Sequence, residues 1–76
     1  MGRFRNIRQG DAARAFIKLG GEDRFTRKNY RMIRMPNGNL VVLPSGVLKV
    51  GLLISQIRHA GLTEDEFASL VHERVI

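Results

Sequence analysis

Two strand-forming runs, Tyr30-Arg31-Met32-Ile33-Arg34-Met35 and Leu40-Val41-Val42-Leu43, flank Met35-Pro36-Asn37-Gly38. Proline presets φ for the first central position of a type I turn, asparagine suits the second, and glycine takes the left-handed position after them. The pattern predicts a β-hairpin over 30–44. Its incoming strand puts Tyr30, Met32 and Arg34 on one face and Arg31, Ile33 and Met35 on the other. The outgoing strand is apolar on both faces and reads as covered on both, or as a central strand. Pro44 cannot donate to a ladder and ends it. Upstream, Glu22 to Thr26 is a weaker strand with Phe25 as its large apolar residue, and Arg27-Lys28-Asn29 turns the chain into the hairpin. The reading is a three-stranded meander over 22–27, 30–35 and 40–44.

Helical spacing brackets the meander. Ala12, Ala15, Phe16 and Leu19 fall at i, i+3, i+4 and i+7, with Asp11 as N-cap and Gly20-Gly21 as the stop. Val50, Leu53, Ile54, Ile57 and Gly61 repeat the spacing, and Ala60-Gly61 closes that helix. Thr63-Glu64-Asp65-Glu66 is a capping box, threonine at the N-cap and glutamate three residues on. Phe67, Leu70, Val71 and Val75 then make the apolar stripe of a last helix, with Leu62 placed to staple onto Phe67. The fold class is α+β, in the order α-β-β-β-α(-α), with helices on one face of a three-stranded antiparallel sheet. Residues 1–10 hold Phe4 and Ile7 among basic residues and read as a loose arm; residues 11–76 read as one domain.

Composition narrows the class. A chain of 76 residues with 43% hydrophobic content suits one small globule. There is no cysteine, so no disulfide framework and no thiolate zinc site. No apolar run is long enough for a membrane span and no signal region follows the basic start, so the default location is cytoplasmic. Charge is uneven. Residues 1–34 carry ten basic residues against Asp11, Glu22 and Asp23, whereas residues 35–76 carry three against four acids. A basic half dominated by arginine points to a polyanion, most often nucleic acid, over the plainer reading of solubility.

No catalytic constellation is legible in the residues alone. His59 lies near a helix C-terminus and His72 off the last helix's apolar stripe, and both read as structural or exposed. Neither has a second ligand at metal spacing. No serine sits in a nucleophile elbow, no phosphate-loop glycine pattern occurs, and no cofactor is implied. Tyr30 stands out, flanked by Arg27, Lys28, Arg31 and Arg34. A tyrosine among arginines can stack on an unpaired base while they hold phosphates; the plainer role is a strand tyrosine covering a helix. The expected phosphate-contacting surface is Arg27, Lys28, Arg31 and Arg34, extended by Arg24 and the N-terminal arm. Arg31 and Arg34 belong to opposite strand faces. One of them must snorkel from the helix-covered side or pair with an acid, and Arg34, near the turn, escapes more easily.

The run Gly51-Leu52-Leu53-Ile54-Ser55-Gln56-Ile57-Arg58-His59-Ala60-Gly61-Leu62-Thr63, continued by Glu64-Asp65-Glu66-Phe67, resembles the helix-and-turn signature of HicA-type (YcfA-like) mRNA interferases. Upstream, Lys28-Asn29-Tyr30-Arg31-Met32-Ile33-Arg34-Met35-Pro36 aligns without a gap to that family's G-S-H-H-x-F-x-x-P, and Leu40-Val41-Val42-Leu43-Pro44 to its third strand. The similarity covers about residues 10–70. It implies a fold like a double-stranded-RNA-binding domain, RNA as partner and a HicB-type antitoxin protein. It also puts Tyr30 at the position of the family's catalytic histidine, and Leu52 and Ile54 where the family is polar. Histidine exchanges protons near neutrality, whereas a phenol titrates near pH ~10 and is a poor general base at pH 7. The resemblance therefore implies an RNA-binding toxin–antitoxin component without its usual proton carrier. The alternative is a stand-alone nucleic-acid-binding module with neither nuclease activity nor antitoxin.

Overall fold

A computed structural model describes residues 4–27 and 29–71, with the backbone alone at 25–27. The elements run α1 (Gln9–Lys18), β1 (Glu22–Arg27), β2 (Tyr30–Arg34), β3 (Leu40–Pro44), α2 (Val50–His59) and α3 (Glu64–Val71). The strands form one antiparallel sheet in the order β1-β2-β3, the meander expected from the hairpin pattern. The Pro36-Asn37 turn closes as expected, with the Gly38 N–H donating to Met35 O at 2.9 Å.

Alternation along β2 decides where the core lies. Ile33 and Met35 are buried with Val41 and Leu43 of the β3 side, beneath Phe16 of α1 and Leu53 and Ile57 of α2. Helix α1 lies on β2 and β3, α2 lies against β3, and α3 packs across α1 and α2. Phe67 of α3 joins the layers. Its ring centroid lies 4.6 Å from that of Phe16 and 5.9 Å, edge-on, from that of Phe4. The capping box forms as expected, with the Thr63 N–H donating to Glu66 Oε1 at 2.9 Å and the Glu66 N–H to Thr63 Oγ1 at 3.1 Å.

Three expectations need correction. The stretch 4–10 is no loose arm: Phe4 and Ile7 are core residues, as is Leu48. Backbone bonds strap this stretch to the β3–α2 loop, Leu48 N–H to Ile7 O at 2.8 Å and Gln9 N–H to Gly46 O at 3.0 Å. Helix α1 accordingly starts at Gln9, with Arg8 at the N-cap and Asp11 inside the first turn. Strand β3 is an edge strand and is neither central nor covered on both faces, so Leu40 is 40% exposed. The expected stripe residue Val75 and the second histidine, His72, lie outside the described residues.

Candidate nucleic-acid interface

Because the helices cover one face, the register defines what the other presents. Three rows cross it from β1 to β3: Glu22–Arg34–Leu40, Phe25–Met32–Val42 and Arg27–Tyr30–Pro44. An extra residue, Arg24, bulges from β1 between Asp23 and Phe25. Tyr30 is 49% exposed at one end of β2, and Arg34 is exposed at the other. They are four positions apart, roughly 13 Å of strand. Half-buried Met32 and Val42 lie between. An aromatic ring, an apolar middle and an arginine therefore follow one another along the open face of a single strand.

The other arginines divide. Arg31 faces the helices, as one of the pair had to, and its Nη2 donates to Asp23 Oδ2 at 2.8 Å. Its side chain is only 31% exposed, and its Nε is buried with no partner among the described residues. Arg31 is thus neutralised under the sheet rather than presented to a phosphate. Arg24 is exposed and 3.5 Å from Glu22, a loose surface pair. Arg27 occupies the register position opposite Tyr30, on the backbone only, and Lys28 lies outside the described residues. Of the six residues expected at the site, the fold brings Tyr30, Arg34 and the Arg27 position to one face, sends Arg31 to the other and leaves Arg24 on the bulge.

His59 is exposed, but its backbone carbonyl is held at the hairpin tip by Asn37 Nδ2 (3.1 Å) and Asn39 Nδ2 (2.7 Å). That is the end of β2 away from Tyr30. Among the described residues no cluster of three or more histidines, cysteines or carboxylates could hold a metal ion. Among the described residues no helix is long and apolar enough to cross a membrane.

Sequence reading missed the residue that aligns this face with α1. The Gln9 side-chain amide donates to Asn29 O at 2.9 Å and Leu43 O at 2.8 Å, tying the start of α1 to the loop before Tyr30 and to β3. A glutamine in a basic stretch gives no signal of this. Its partners are backbone carbonyls 20 and 34 residues away.

Compared with known proteins, the chain matches no family model and no curated protein.

Proposed function

We propose that this chain is a HicA-like RNA-binding protein that holds a single strand across its open sheet face and lacks the family's neutral-pH ribonuclease step. The observation that carries the reading is the exposed Tyr30 on the open face of the central strand, with Arg34 further along the same face. Tyr30 stacks one unpaired base. Arg34 meets a phosphate about two nucleotides away, Met32 and Val42 lie beneath the intervening sugar and base, and the basic N-terminal half draws the strand in. Tyrosine at the position of the family histidine supplies the stacking surface but not the proton exchange. A HicB-type antitoxin is the protein partner this reading names.

The test is incubation of the pure protein with a long messenger RNA, with a Tyr30→His variant alongside. Retarded but intact RNA with the parent protein is expected. Cleavage by the parent would end the claim of an inactive nuclease, and absence of any salt-sensitive binding would end the RNA reading. The stand-alone module is favoured by the same Tyr30 replacement. Co-purification of an acidic partner encoded beside this chain separates the two.

A further inference from the structure

The two edges of the sheet are unlike. Along β3 the Val42 N–H is taken by Gln56 Oε1 of α2 at 3.4 Å, and α2 packs against that strand. Among the described residues no strand pairs with the outer edge of β1. An open edge carries a row of unsatisfied backbone groups and is a template for another strand.

The sequence of β1, Glu22-Asp23-Arg24-Phe25-Thr26-Arg27, is acidic at its start and basic at its end. Such a strand is complementary to itself when run antiparallel. The bulge adds a second condition. In a regular strand positions 22 and 27 fall on opposite faces. Here the extra residue at Arg24 shifts the register, so Glu22 lies opposite Arg34 and Arg27 opposite Tyr30, both open-face positions. Asp23 and Thr26, opposite Ile33 and Arg31, are both helix-face positions. Two copies paired with Glu22 opposite the partner's Arg27 position, and Asp23 opposite its Thr26 position, therefore match in charge and in face.

The geometry points to a two-fold dimer formed by antiparallel pairing of β1 with β1 of a second copy, giving one six-stranded sheet. Assembly stops at two chains, because the remaining edges are the β3 edges, unlike β1 in sequence, where the Val42 N–H is already taken by Gln56 of α2. A bulge and charges also blunt edges against indiscriminate stacking. In this strand the same devices leave one self-complementary register. The proposal does not depend on RNA binding, and if RNA binds, the dimer sets two open faces side by side on one sheet.

The experiment is sedimentation equilibrium of the full chain without RNA across a concentration series, with Glu22→Arg, Arg27→Glu and their equimolar mixture. Glu22 is suited to reversal because its side chain is 71% exposed. The parent is expected to shift with concentration from 8.6 kDa toward twice that mass. Each variant alone sets like charges across both ends of the two-fold and is expected to stay monomeric, at least ten-fold weaker. The mixture is expected to regain the dimer, since both pairs between positions 22 and 27 are then opposite in sign. Circular dichroism of each variant confirms that it is folded. Independently, β1 amides of the parent are expected to gain hydrogen-exchange protection with rising concentration. A parent that stays monomeric overturns the proposal. So do a dimer indifferent to both reversals, reversed chains that fail to rescue each other, and protection that is independent of concentration.

Discussion

Arg31 of β2 reaches diagonally to Asp23 of β1, which lies opposite Ile33, on the helix-facing side of the sheet, guanidinium to carboxylate at 2.8 Å. The pair explains how an arginine sits in a strand whose neighbours on that face, Ile33 and Met35, are fully buried. Exposed ion pairs contribute ~0.2–1 kcal/mol, and this one is partly screened. Removing the acid alone, however, leaves a half-buried charge whose Nε already lacks a partner. Asp23→Asn is expected to cost about 1 kcal/mol in urea denaturation, while Arg31→Met, which removes the charge and keeps the aliphatic stem, is expected to cost less.

The same pair separates two arginines that look alike in sequence. Arg34→Ala is expected to flatten the salt dependence of single-strand binding by about 0.7 in log–log slope, one phosphate contact. Arg31→Ala is expected to leave that slope unchanged. Fluorescence anisotropy across a salt series reads both. Equal effects would mean that strand face does not govern the contact.

Tyr30→Ala is expected to weaken single-stranded RNA binding by ~1–3 kcal/mol and duplex binding little, because only an unpaired base offers its face to the ring. Tyr30→Phe is expected to retain most of the affinity. A large loss with phenylalanine would move the role from the ring to the hydroxyl.

The hairpin tip clasps the end of α2. Asn37 and Asn39 both donate to His59 O, and Gly61, at φ +77°, lies where an added Cβ would meet Asn37 Nδ2 at 2.9 Å. Gly61→Ala combines left-handed strain with that clash and is expected to cost roughly 1–3 kcal/mol. Asn39→Ala, which removes the shorter of the two bonds, is expected to cost about 1 kcal/mol. Thermal melts compare them.

Phe4→Ala tests whether the start of the chain belongs to the core. The ring is buried against Phe67. Truncation is expected to cost ~3–5 kcal/mol, enough to unfold much of a domain this small. A change below 1 kcal/mol in denaturant midpoint analysis would return residues 4–10 to the status of an arm.

Local chemistry determined most of the architecture. Proline and asparagine before Gly38, the 3.6-residue stripes and the Thr63–Glu66 box each act within a few residues, and each produced the element expected of it. The period-two pattern of β2 likewise required that Arg31 and Arg34 part company. Tertiary structure decided the rest. Phe4 and Ile7 are two apolar residues in a basic stretch and become core only because the β3–α2 loop straps them down, a contact some forty residues distant in sequence. Leu40, Val42 and Pro44 are as apolar as a buried strand, yet face outward, because strand order and helix placement, not hydrophobicity, choose which strand lies at the edge. The Arg24 bulge reads as nothing in sequence, since it exists only relative to the register of β2. It is nonetheless what sets Glu22 and Arg27 on one face.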